Sequence, residues 1–172
     1  MNAIEFIQST LFELNRSFVN EVEPLTETQM LYRPTPEANS IAFLMWHFSR
    51  TEDNSFHRVS SVEGTTPVWE RERWHDRLGL PEKGSGTGFT PDQVEALKPS
   101  KEGLVGYMEA VRLSAQEGLS KMTDEDLDRP LDPDNPRQTV GRNIQSIIIG
   151  HGFFHLGEIR FLKGLQGMPF PR

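Results

Sequence analysis

Two histidines one helical turn apart are the residues most able to do chemistry. The run Ile147–Phe161, IIIGHGFFHLGEIRF, has the periodicity of an amphipathic helix and carries His151, His155 and Glu158. At 3.6 residues per turn, positions i and i+4 lie about 40° apart and i and i+7 about 20° apart, so the three polar side chains share one meridian. The residues expected around that meridian are apolar: Ile144, Ile147, Ile148, Phe154, Ile159 and Leu162. Imidazole nitrogen suits divalent Zn, Ni, Fe or Cu, and two rings one turn apart can chelate one ion. The same spacing also serves core histidines that are hydrogen-bonded to their neighbours, and the glutamate of an HExxH zinc motif is absent.

A third imidazole, His47, sits at the inward edge of a second predicted helix. Should the second and fourth long helices adjoin, His47 completes a three-histidine set. Three protein ligands with an open position is the pattern of a catalytic rather than a structural metal site. Glu158 and Asn54 are then candidates to support the ligands, or Glu158 to act as a base on bound water. His57 lies about 80° off the His47 line and reads as a surface residue; His75 reads as a loop residue. With no cysteine in the chain, thiolate ligands, disulfides and a cysteine nucleophile are all excluded.

The elements that must position these side chains follow from the periodicity. Ile4, Ile7, Leu11, Leu14, Phe18 and Val22 predict a first long helix from Ala3 to about Val22, with Phe6 and Phe12 on its flanks. Thr26 to Gln29 has capping-box spacing and starts a short helix before Pro34. Asn39 or Ser40 caps the second long helix, Ile41 to about Val59. Glu52 falls on its apolar stripe and needs a partner if buried, with Arg33 and Arg142 as candidates.

Residues 60–99 are punctuated by Gly64, Pro67, Pro81, Gly84, Gly86, Gly88, Pro91 and Pro99. So long a connection predicts short helices within it, over Trp69–Leu78 and Pro91–Leu97. Its glycine-rich Gly84–Gly88 follows no strand and carries no lysine, so it does not read as a phosphate loop. Ser100 caps the third long helix, to about Met122, and Thr123 opens a short one. Thr139 caps the fourth, Val140 to about Leu165, before Gly167, Pro169 and Pro171. Nothing reads as a strand. The expectation is an all-α fold: a single domain over residues 1–172, a four-helix bundle with a long irregular, short-helical crossover between helices two and three.

At 172 residues the chain is long enough to bury a core without staples. Its net charge of −7 argues against nucleic acid as a partner. No apolar run reaches the roughly 18–20 residues that span a bilayer, and the acidic, amphipathic start does not read as a signal peptide. The expected location is cytoplasmic.

The lone histidine within SIAFLMWHFSRTED and the segment HGFFHLGEIRFLKGLQG together resemble the DinB-like (damage-inducible protein) superfamily. The YRP segment, the Trp-rich crossover with its GTGF, and TDEDLDR extend the resemblance over essentially the whole chain. It implies a four-helix bundle holding a divalent transition metal, zinc or nickel first, on His47, His151 and His155. Members are often dimers, which implies a homodimer. The family usually has Gln where this chain has Glu158. Relatives include transferases that use low-molecular-weight thiols such as mycothiol or bacillithiol, and a thiol-dependent isomerase. The resemblance thus implies a metal-dependent enzyme that delivers a cofactor thiol to a small-molecule electrophile. A metal-dependent hydrolase with Glu158 as base, or a non-enzymatic metal-holding stress or binding protein, are the alternatives.

Overall fold

The first helix begins where the sequence offers a reciprocal cap. In a computed structural model describing residues 1–60 and 66–169, helix α1 (Ala3–Val22) starts at Asn2. The Asn2 side chain accepts from the Glu5 amide while the Glu5 carboxylate accepts from the Asn2 amide, satisfying two otherwise orphaned donors. Thr26 and Gln29 repeat the device at α2 (Glu27–Leu31). Ser40, not Asn39, starts α3 (Ile41–Ser60), its hydroxyl accepting from the Phe43 amide at 3.1 Å.

The crossover contains α4 (Val68–Arg71), α5 (Trp74–Leu78) and α6 (Pro91–Ala96). The single helix expected over Trp69–Leu78 is split because Arg73 turns left-handed, at φ 54°. The crossover returns to α7 (Lys101–Ser120), capped by Ser100. A 3₁₀ turn, Asp124–Asp128, follows.

The fourth long helix runs through three segments: α8 (Val140–Asn143), a π-helical stretch Ile144–Gly150, and α9 (His151–Leu165). Backbone angles stay in the right-handed helical region at both junctions. Among the described residues, extended pairing is limited to one antiparallel bridge between Pro130 and Thr139. Gly64 and Pro171, two of the expected chain breakers, lie outside the described residues.

The helices close into a ring: α1 packs against α7 and α9, and α3 against α7 and the π–α9 helix. Phe18 of α1 and Phe48 of α3 stack across the centre, ring centroids 4.7 Å apart. Leu14, Ile41, Trp46, Tyr107, Ile144 and Ile159 are fully buried around them. Each such side chain contributes roughly 1.5–3 kcal/mol of hydrophobic stabilisation. Glu21, buried on α1, pairs with Lys163 at 2.5 Å and Arg160 at 2.7 Å, pinning α9 to α1.

The apolar surround expected for the histidine meridian is partly wrong. Ile144, Ile148, Ile159 and Leu162 are buried, but Ile147 is 44% and Phe154 65% exposed. The wide turns of the π segment shift Ile147 off the 3.6-residue pattern. Phe154 lies about 100° from His155 on the helix surface, and the inward face is taken by Gly152, His155, Leu156 and Ile159.

Candidate metal centre

Gly152 sets how deeply the fourth helix can sit. A Cβ there would lie 2.5 Å from Leu14 Cδ2 and 2.8 Å from Phe48 Cε2, so only glycine lets this turn press against α1 and α3. That approach carries His151 and His155 up to His47 of α3.

The three rings meet at their Nε2 atoms. His151 Nε2 lies 3.3 Å from His47 Nε2 and 2.8 Å from His155 Nε2. One ligand atom from each of the three lies within 4.8 Å of the others. His155 is buried and the other two are half-buried. With Zn–N bonds of about 2.0–2.1 Å, two ligands of a tetrahedral ion stand about 3.3 Å apart, close to the His47–His151 separation.

Hydrogen bonds behind the rings decide which nitrogen faces inward. His47 Nδ1 donates to the carbonyl oxygen of Ser85 at 2.5 Å, and His155 Nδ1 donates to Glu158 Oε2 at 2.5 Å. A carbonyl and a carboxylate oxygen only accept, so both Nδ1 atoms carry the proton and both Nε2 atoms present lone pairs. His151 Nδ1 is buried with no hydrogen-bond partner among the described residues. Burial, with His155 and His47 adding repulsion, pushes His151 down to about 4; burial likewise lowers His47. Both shifts favour the neutral, lone-pair-bearing ring at His151 and His47. Converging lone pairs with too few protons between them suit a cation, and these residues can hold a divalent metal ion.

The Ser85 carbonyl is fixed by a network behind it. Arg50, 4% exposed, donates from Nε to the Gly84 carbonyl at 3.2 Å and lies over the Trp69 ring, 4.6 Å from its centroid. Its guanidinium also stands 3.8 Å from Asp53. Asp53 accepts from the amides of Val68 and Trp69 and from the Tyr107 hydroxyl, at 2.8–2.9 Å. Gly84, Gly86 and Gly88 all have positive φ, and a Cβ on Gly86 would lie 2.9 Å from the Phe43 ring. The glycines let the loop lie flat on α3, with Ser85 against His47. Sequence reasoning passed over Ser85, and set Arg50 near the His47 line either as a binder of an anionic substrate group or as a solvated or ion-paired residue. Three glycines alternating through Gly84–Gly88 were the available signal, since positive φ favours them.

The other sequence candidates fall elsewhere. Asn54 is exposed, so it does not back the histidines. His57 lines a separate cleft beside Pro67 and Lys121. His75 pairs with Asp76 at 3.1 Å beside Trp69. Glu52 is fully buried as its stripe position required, but neither Arg33 nor Arg142 meets it. Arg33 bonds Glu95 and the Ala38 carbonyl, Arg142 is exposed, and Glu52 instead accepts from Asn15 Nδ2 at 3.3 Å.

The structure is similar to the crystal structure of a conserved protein from Enterococcus faecalis, with TM-score 0.81 and 22% identity over 96% of this chain and 97% of that one. At that identity the likeness shows the fold alone. No curated protein matches the chain. The DinB superfamily sequence model matches residues 12–159, from the middle of α1 to the last buried isoleucine of α9, and takes in all three clustered histidines. The chain belongs to the DinB superfamily.

Proposed function

We propose that His47, His151 and His155 hold a divalent metal ion with one coordination position open, and that the protein is a metal-dependent transferase using a low-molecular-weight thiol. The observation that carries the metal reading is the convergence of three Nε2 atoms, two of them held as lone-pair donors by Ser85 and Glu158. A bound ion supplies Lewis acidity that lowers the pKa of a thiol or water to near neutrality. The protein's own part is to orient the rings and leave one side accessible. The chain has no cysteine, so the reacting sulfur comes from a cofactor, and the acceptor is a small electrophile.

Glu158 separates this reading from hydrolysis. Its Oε2 is engaged by His155 Nδ1, which supports a role in holding a ligand. A hydrolase would require Glu158 as base. A metal-holding stress or binding protein would use the same ligands with no reaction. Homodimerisation through the last helix is supported by the exposed Phe153, Phe154 and Phe161, each at least half exposed.

Elemental analysis of the purified protein tests the site. A stoichiometric divalent ion, lost in His47→Ala and His151→Ala, is the expected result; no ion in the wild-type protein after incubation with zinc or nickel overturns it. A panel of low-molecular-weight thiols with an electrophile then tests the reaction. Consumption that needs both metal and thiol is expected. Turnover of esters or amides without thiol identifies the hydrolase, and inertness in both identifies the binding protein.

A further inference from the structure

A second cavity shares no lining residue with the histidine cluster. It has a volume of about 410 Å³ and opens between α1, α3 and α7. Leu11, Phe12, Ala115 and Leu119 supply apolar wall, and Glu52 and Asn15 are its most deeply buried polar lining, 0% and 2% exposed. Both end in acceptors that lack a donor. Among the described residues Glu52 Oε2 and Asn15 Oδ1 have no hydrogen-bond partner, while Asn15 Nδ2 is already used on Glu52 Oε1 and the Leu11 carbonyl.

Leaving a buried acceptor unsatisfied costs about 1–3 kcal/mol, more if it is charged, and two adjacent ones call for a group with several N–H donors. The cation at the rim does not fill that need. Arg112 lines the cavity, but its Nε and Nη2 are held by Glu109 at 2.8 and 2.5 Å and its Nη1 by Gln116 at 3.2 Å. Glu109 thus offsets its charge, and the exposed Glu5 adds an acid at the same rim. Burial also raises the Glu52 carboxyl to about 7 against the opposing Asn15 hydrogen bond and Arg112 charge, a cost that an entering cation would relieve.

We infer that this cavity is a binding site for a small primary amine, whose ammonium group donates to Glu52 Oε2 and Asn15 Oδ1 while its apolar body lies against Leu11, Phe12, Ala115 and Leu119. An ammonium has three donors and no acceptor, matching two bare acceptors; an alcohol brings one donor and a further unsatisfied oxygen. None of its lining residues belongs to the histidine cluster.

Amide NMR titration of the full-length protein at pH 8 tests the assignment, with n-butylammonium and n-butanol as probes of matched length. Saturable shifts at Asn15, Glu52, Ala115 and Leu119 with the amine are expected, with the alcohol at least about tenfold weaker. Glu52→Gln, nearly isosteric and neutral, is expected to weaken the amine at least about tenfold. Ala115→Leu, which fills the cavity and leaves Glu52 in place, is expected to block the amine too. No saturation by either probe in the wild-type protein would mean that the cavity takes up water only, and overturns the inference. So does equal affinity for alcohol and amine, or unchanged amine affinity in both variants.

Discussion

Glu158 Oε2 stands 2.5 Å from His155 Nδ1, one helical turn along α9. The contact holds the ring's proton on the outer nitrogen and turns the inner lone pair toward His47 and His151. Carboxylate–histidine pairs of this kind raise ligand basicity and fix ring orientation. Glu158→Ala is expected to weaken metal binding about 10–100-fold, read by competition with a chromophoric chelator. Glu158→Gln keeps an acceptor oxygen for Nδ1–H and should lose less. Equal affinity in wild type and Glu158→Ala would remove the carboxylate from the site.

Arg50 acts on the opposite ligand. Its guanidinium holds Gly84, and Gly84 carries the Ser85 carbonyl to His47 Nδ1. Arg50→Met is expected to lower metal affinity about tenfold and to speed amide exchange across residues 84–88. Ser85→Ala keeps the carbonyl and should bind metal as the wild type does. If Arg50→Met leaves both affinity and exchange unchanged, the loop is held by its glycines and aromatic contacts alone.

At Gly152 the prediction concerns packing. A methyl group would enter the van der Waals shells of Leu14 and Phe48, and overpacking of this sort costs about 1–3 kcal/mol. Gly152→Ala should lower the midpoint of thermal unfolding and weaken metal binding together, because the same displacement moves His151 and His155 away from His47. Gly157→Ala, with nothing within 4 Å of its added Cβ among the described residues, is the control and should do neither.

Glu52 gives the fold a pH dependence of definite sign. Its carboxyl sits at about 7 when folded, against an ordinary 4.5. A group whose acid form is favoured by folding contributes fully below its unfolded value, and that contribution falls away as pH rises through about 7. Asn15 from α1 and Arg112 from α7 oppose the burial that causes this, while the neighbouring Asp53 adds to it. Stability should drop by roughly 3 kcal/mol between pH 4.5 and 7 from this group alone. Urea unfolding at pH 5 and pH 8 would measure it. Glu52→Gln should flatten that fall and be the more stable protein at pH 8; a variant less stable than wild type at pH 8 would show that the carboxylate has a donor after all.

The helices were legible because periodicity and caps agree along this chain. Thr26, Ser40, Ser100 and Thr139 mark starts that the structure keeps. The histidine set was legible too, since His151 and His155 share a meridian and His47 falls on an inward edge. What periodicity does not encode is long-range pairing. Nothing in the spacing says that Ser85, 38 residues away, offers its carbonyl to His47, because a backbone oxygen has no side-chain signature. The partner of Glu52 was misjudged for a related reason. Charge suggested an arginine, while the three-helix junction placed an amide there. Arg73 split one predicted helix in two through a left-handed turn that its residue type does not announce.

The seven π-helical residues Ile144–Gly150 have a consequence for how this helix could be shortened. A π turn is an α-helix with a residue to spare. Gln145 and Ser146 are exposed within it. Deleting one of them should let the segment tighten into ordinary α-helix while Ile144 and His151 keep their faces. The same deletion within α9 would rotate everything beyond it by about 100°, turning His155 away from His151. The chain thus carries its slack immediately ahead of the histidines, where a change of length can be absorbed before it reaches them.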